Sequence, residues 1–216
     1  MEKYAIFDFD GTIVESRSLA IKLINDLSNI YGYKRIGEAD INHIRDMSIL
    51  GKLRFLKISP YKIPAIFLEL KKKYKVYIDT LEIVEGILDV LYELKKERIG
   101  LAIISSNSKT NIDAFLRNKN IDLFDIVCSS EGFLDKNKSI ETIMKKHKIK
   151  KENVFYIGDE VRDIVACKKS NLKIIAVTWG YDPIEILEKQ NPDYIVESPK
   201  QILDIIIKKN LSDSYR

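Results

Sequence analysis

Two cysteines, two histidines, five prolines and a single tryptophan in 216 residues exclude several kinds of chemistry at the outset. Cys128 and Cys167 are too few and too far apart for a disulfide framework or a zinc site, so both read as buried thiols of a protein in a reducing cytoplasm. His43 and His147 are not spaced as a metal pair, and neither is assigned a catalytic part. No uninterrupted apolar run approaches the length of a membrane span, and the N-terminus runs into an apolar strand with no signal-peptide pattern, so no membrane partner is expected. A charge excess of one sign is also missing: 36 basic against 32 acidic residues leave a net +4. The lysines fall in groups such as Lys71-Lys72-Lys73 and Lys145-Lys146-His147-Lys148, interleaved with acids and apolar residues, which marks solvated helix faces and predicts no nucleic-acid partner. There are no internal repeats and no low-complexity linkers.

What is present suffices for a sizeable core. With 45% hydrophobic residues the chain fits one domain plus an insertion, or two small domains. Its organising stretch is Tyr4-Ala5-Ile6-Phe7-Asp8-Phe9-Asp10-Gly11-Thr12, an apolar strand that ends in two carboxylates one position apart. Side chains alternate along a strand, so Asp8 and Asp10 would project to one side if it continued, and Gly11 allows the abrupt turn that ends it. Two like charges held that close need a cation or a bound proton between them, and a hard, oxygen-seeking ion such as Mg²⁺ suits. A solvated Asp-x-Asp-Gly turn is the plain alternative when the stretch is taken alone.

After Thr12 the pattern is helical. Ala20, Leu23, Ile24, Leu27, Ile30 and Tyr31 share one face, with Gly32 placed to stop the helix. A second helical region is expected around Ile41 to Leu56 and a third from about Pro64 to Tyr74, with no strand between Glu15 and Thr80. From Leu81 onward helices alternate with apolar strands at Gly100–Ile104, Asp125–Cys128, Asn153–Ile157, Lys173–Val177 and Tyr194–Val196. Strands buried on both faces and joined by helices predict a doubly wound α/β fold, a Rossmann-like parallel sheet with right-handed crossovers. The expected division is a catalytic core of residues 1–14 and 81–216 with an all-helical insertion at 15–80.

Three strands end in polar clusters: Asp8 to Thr12, Ser105-Ser106-Asn107, and Gly158-Asp159-Glu160-Val161-Arg162-Asp163. Ligands of doubly wound sheets lie beyond the carboxyl ends of the strands, so the clusters converge if their strands are neighbours. Helix N-termini after Asn107 and Asp159 would favour an anion there. Several carboxylates, a metal, a hydroxyl, an amide and anion-seeking helix ends together point to phosphoryl transfer. Such a site needs a fixed cation, and Lys136 is favoured over Lys138 because it would reach the cluster from the loop ahead of the helix.

With these residues in view, the chain resembles the haloacid dehalogenase superfamily of phosphohydrolases. Asp8-Phe9-Asp10-Gly11-Thr12 is similar to its DxDGT motif, Ser106-Asn107 to the end of its second strand, Lys136 to its third motif and Gly158-Asp159 through Asp163 to GDxxxD. The 15–80 insertion resembles its helical cap, and Val177-Thr178-Trp179-Gly180-Tyr181 resembles a segment of the phosphoglycolate phosphatase-like branch. The resemblance implies that Asp8 attacks phosphorus to give an aspartyl-phosphate and that Asp10 carries the proton to the leaving oxygen and from the hydrolytic water. It further implies Mg²⁺ on Asp8, Asp10 and Asp159, with Asp163 supporting the metal loop. Gly11, Thr12, Ser106, Asn107 and Lys136 would meet the substrate, a small phosphate monoester. The rival readings are a phosphomutase acting on a sugar phosphate and a binding protein that keeps the fold without turnover. Arg45, Lys52 and Lys62 are candidates to meet an anionic substrate from the insertion, and none is assigned.

Overall fold

A computed structural model of the chain describes residues 3–130 and 136–213. Leu134 and Asp135 of the expected lysine loop lie outside the described residues. In chain order the elements begin with β1 (Tyr4–Phe7), β2 (Val14–Glu15), α1 (Arg17–Tyr31), α2 (Asp40–Arg45), α3 (Ile49–Phe55), α4 (Ile63–Tyr77) and β3 (Glu82–Ile83). They continue with α5 (Ile87–Lys96), β4 (Gly100–Ser105), α6 (Lys109–Asn118), β5 (Ile126–Ser129), α7 (Lys136–Lys146) and β6 (Val154–Gly158). The last are α8 (Val161–Ser170), β7 (Lys173–Val177), α9 (Ile184–Glu188), β8 (Tyr194–Val196) and α10 (Pro199–Asp213).

Six strands form one parallel sheet in the order β5-β4-β1-β6-β7-β8. Alternation along these strands sorts the apolar side chains onto two faces. Ala5, Phe7, Leu101, Ile103 and Ile157 face one way and pack with Ile87, Leu91 and Leu94 of α5, Phe115 of α6 and Ile202 of α10. Ile6, Ala102, Ile104, Tyr156 and Ile174 face the other way and pack with Ile140 of α7, Ile164 and Cys167 of α8, and Leu187 of α9. Helices therefore cover both faces, which is the doubly wound arrangement the apolar strand runs predict. The chain leaves β1 for β4 and β5 on one side, then returns to β6 on the other, so the strand order reverses at β1.

No strand was expected between Glu15 and Thr80; Glu15 itself ends β2, opposite Glu82, residues 16–80 are helices, turns and loops, and the helices differ from the sequence reading. The region from Ile41 to Leu56 is two helices and not one, because the Ser48 hydroxyl accepts from the Gly51 N–H and starts α3 afresh. A small cluster of Leu27, Tyr33 and Ile66 joins α1 to α4, separate from the two cores of the sheet. The segment departs from and returns to the sheet domain through an antiparallel ribbon that pairs Val14 with Ile83 and Glu15 with Glu82. That two-residue ribbon has no sequence signal of its own.

Candidate active site

The site lies at the carboxyl ends of β4, β1 and β6, which are adjacent. β1 stops at Phe7, one residue before the first acid, although the Asp8 N–H still donates to Ile157 O at 2.8 Å. The chain then turns sharply: Gly11 adopts φ 78°, and its N–H donates to Val14 O at 2.9 Å. A side chain at this position would be strained by that φ, and its Cβ would lie 2.3 Å from Asp159 Oδ2.

Asp8 is 1% exposed. Its Oδ1 accepts from the Phe9 N–H at 2.7 Å and its Oδ2 from Lys136 Nζ at 2.8 Å. Lys136 also donates to Asp163 Oδ1, so one buried ammonium joins the β1 loop to the start of α8. Burial alone would lower the Lys136 pKa, but the carboxylates of Asp163 and Asp8 outweigh it and hold the ammonium charged. The structure corrects one expectation here: Lys136 is the first residue of α7 and not a loop residue. A side chain in the first turn still reaches the cluster because α7 packs beside α8 against the same face of the sheet. Lys138 is exposed.

Asp10 is half-buried. Its Oδ1 accepts from the Tyr74 hydroxyl of α4, and its Oδ2 accepts from Asn107 Nδ2 at 3.0 Å. Burial pushes its pKa up, against the hydrogen bonds from Tyr74, Ser16 and Asn107. Asn107 is itself fixed, since its Oδ1 accepts from Asn111 Nδ2 at 3.0 Å and its carbonyl from Ser129 Oγ at 2.7 Å. Ser106 is half-buried beside it.

Asp159 is fully buried, with Oδ1 accepting from Thr12 Oγ1 at 2.9 Å and Oδ2 from the Tyr181 N–H at 2.8 Å. Thr12, expected to meet the substrate, therefore gives its hydroxyl to Asp159. Burial, followed by the charges of Glu160, Asp8 and Asp163, raises the Asp159 pKa well above the ordinary carboxylate range. Asp163 is pushed up to about 6 by burial, with Lys136 pulling the other way. Its Oδ2 accepts from the Glu160 N–H at 3.2 Å, which fixes the loop ahead of α8.

Among the described residues, the carboxylates whose ligand oxygens all lie within 4.8 Å of one another are Asp8, Glu160 and Asp163. That membership differs from the expected metal trio of Asp8, Asp10 and Asp159. Asp159 is turned toward Thr12 and Tyr181, Asp10 toward Tyr74 and Asn107, and Glu160 moves into the group while pairing with Arg162 Nε at 2.6 Å. Asp8, Glu160 and Asp163 face two fixed cations, Lys136 and Arg162, whereas Asp159 and Asp10 lie against further carboxylates. An all-oxygen donor set with uncompensated negative charge is what a hard divalent cation binds.

Sequence reasoning missed Tyr74, Ser16, Tyr181, Glu160 and Arg162. Glu160 and Arg162 lay inside the polar cluster after β6 and were passed over. Tyr74 had no local signal, because its place is set by the packing of α4 over the sheet. Ser16 Oγ and the Tyr181 hydroxyl lie 3.0 Å apart, and Trp179 Nε1 donates to Thr12 O at 3.2 Å. Of the basic residues of the helical segment, Arg45 donates to Tyr181 O at 3.4 Å, Lys52 pairs with Asp182 at 3.6 Å, and Lys62 caps Tyr31 O at 2.7 Å. A cleft of about 650 Å³ runs between α3 and α8, bounded by Met47, Leu50 and Lys52 on one side and by Lys136, Glu160 and Arg162 on the other. Its walls reach the fixed cation but do not include Asp8 or Asp10.

Residues 5–177 match the family described as haloacid dehalogenase-like hydrolase. The chain is 30% identical over 202 residues to a phosphoglycolate phosphatase of Synechococcus elongatus, covering 93% of this chain and 95% of that protein. It is 23% identical to a pyrophosphatase PpaX of Bacillus mycoides over 95% of this chain and 97% of that one. A crystal structure of a predicted phosphatase from Clostridium acetobutylicum superposes with a TM-score of 0.83 at 22% identity, covering 96% of this chain and 99% of that chain.

Proposed function

The chain belongs to the haloacid dehalogenase-like hydrolases, and from that premise we propose that this phosphatase is Mg²⁺-dependent and cleaves a small phosphate monoester through an aspartyl-phosphate on Asp8. The observation that carries the reading is the Lys136 ammonium, 2.8 Å from Asp8 Oδ2 inside the sheet's carboxyl edge. The ammonium pairs directly with Asp8, whose carboxylate is the form that attacks phosphorus. It also offers positive charge where phosphate oxygens would lie.

Asp8 forms the new O–P bond while the leaving alkoxide takes its proton from Asp10. In the second half Asp10 withdraws a proton from water, and the water oxygen displaces Asp8 from phosphorus, releasing inorganic phosphate. Ser106 and the Asn107 side chain would hold phosphoryl oxygens beside Lys136, whereas the N–H groups of Gly11 and Thr12 are already donated to Val14 O and Phe9 O within the loop. Asp163 acts one step back, fixing Lys136 and the loop before α8. Asp8, the Asp10 backbone carbonyl and the 159–163 loop would hold Mg²⁺, with Asp159 its expected ligand and Glu160 within reach of Asp8. When bound, the ion would neutralise charge between an anionic nucleophile and an anionic ester.

We assign residues 15–80 as a cap over residues 1–14 and 81–216. Its support is the narrow Val14–Glu15 and Glu82–Ile83 ribbon at its base and the polar ties of Arg45 and Lys52 to Tyr181 and Asp182. Phosphoglycolate, named for the Synechococcus relative, is the first substrate to try, in a reducing cytoplasm that suits the thiols Cys128 and Cys167. The test is phosphate release from a panel of phosphate monoesters with Mg²⁺, with chelator, and in Asp8→Asn. Turnover that needs Mg²⁺ and disappears in Asp8→Asn while the circular dichroism is unchanged is the expected result. Undiminished turnover in that variant removes the nucleophile, and isomerised sugar phosphate with little free phosphate would make the protein a mutase.

A further inference from the structure

Asp10 is held at both oxygens by groups from different parts of the chain. Asn107 Nδ2 reaches Oδ2 from the sheet's edge at 3.0 Å, and the Tyr74 hydroxyl reaches Oδ1 from α4, in the helical segment. Tyr74 does not swing freely. It is half-buried, packs against the core cluster that includes Ile78, Leu81 and Val84, and stands four residues before the turn at Ile78–Thr80 that leads back to the sheet. The hydroxyls of Ser16 and Tyr181, 3.0 Å apart, close the same corner from the start of α1 and the end of β7. A carboxyl group with one oxygen tied down can still rotate about its Cβ–Cγ bond. With both tied it presents one fixed plane to the leaving group.

We infer that Tyr74 is a positioning residue for proton transfer: its hydroxyl fixes the plane of Asp10, so that the helical segment and the sheet domain together aim the group that protonates the departing alkoxide. The inference rests on the reading of Asp10 as proton carrier. It assigns Tyr74 no contact with substrate or metal.

The distinguishing property is the leaving group. An alkyl phosphate expels a strongly basic alkoxide and needs the proton, whereas an aryl phosphate expels a phenolate that departs almost unaided. The quantity to measure is kcat/KM, which covers only the steps up to departure of the alcohol. Tyr74→Phe keeps the ring and its packing and removes the hydroxyl alone. For this variant kcat/KM is expected to fall by about tenfold or more on an alkyl phosphate and by less than about twofold on 4-nitrophenyl phosphate, with unchanged Mg²⁺ dependence. Asp10→Asn, measured beside it, should show the same selectivity more strongly. An equal loss on both esters, no loss on either, or a gain in rate overturns the positioning role. If Asp10→Asn discriminates between the esters and Tyr74→Phe does not, the inference falls while the proposed function stands. If Asp10→Asn does not discriminate either, both fall. Thermal melting of Tyr74→Phe checks the fold, and an alkyl-selective loss at unchanged melting temperature is a result that lost packing would not give.

Discussion

Replacing Lys136 with methionine removes one charge and leaves two others buried. Asp8 and Asp163 are 1% and 0% exposed, and each accepts a hydrogen bond from the same Nζ. Deleting one partner of a buried ion pair costs roughly 3–5 kcal/mol, because the remaining charge keeps its desolvation penalty and loses its compensation. With a urea m-value of about 2 kcal/mol/M, that is a midpoint lower by about 2 M. The pH dependence fixes the cause. Asp163 has a folded pKa of about 6 against an ordinary 3.8, so the folded chain holds its proton more tightly than the unfolded chain does. The stability this gives is fully present below about pH 4 and is lost as the pH rises through about 6. Lys136 is the cation that pulls Asp163 down, so in Lys136→Met the folded pKa moves higher and the loss extends further upward. The deficit relative to the parent chain should therefore be large at pH 8 and much smaller at pH 5. The assay is urea unfolding at the two pH values with chelator present. A variant with the parent's midpoint at pH 8, or a deficit that ignores pH, would refute the account of Lys136 as the compensating charge.

Gly180→Ala should cost about 1–3 kcal/mol in thermal or urea unfolding and raise the Mg²⁺ concentration needed for half-maximal turnover, since a Cβ there would lie 2.2 Å from the Asp159 Cβ and Oδ2. An alanine variant with parental Mg²⁺ dependence would show that Asp159 can shift without consequence for the metal. Millimolar Mg²⁺ should raise the melting temperature of the parent chain more at pH 8 than at pH 5, because protons held on Asp159 and Asp163 compete with the ion, and equal shifts at both pH values would contradict this.

The same buried charge explains why the site needs so many tethers. Thr12 and the Tyr181 N–H hold Asp159, the Phe9 N–H and Lys136 hold Asp8, and Tyr74 and Asn107 hold Asp10. The donors come from the β1 loop, the end of β4, α7, the stretch after β7 and the helical segment, so closely spaced carboxylates can repel one another without spreading the loops apart.

Strands and helices were legible in the sequence because their signal is local: the apolar run before Asp8 and the 3.6-residue recurrence from Ala20 to Tyr31 require only neighbours along the chain. The polar residues after three of the apolar strands were legible for the same reason, as was the helical periodicity between Glu15 and Thr80, though not the strand pairing of Glu15 with Glu82. Tertiary structure alone decided that β4, β1 and β6 stand side by side, that Lys136 reaches Asp8 from a helical turn, that Glu160 enters the carboxylate group while Asp159 faces Thr12 and Tyr181, and that Tyr74 meets Asp10. They include a hydrogen bond between residues 147 positions apart. Nothing in the local pattern encodes them, because they arise from which buried faces fit together and from where the remaining charges then find partners.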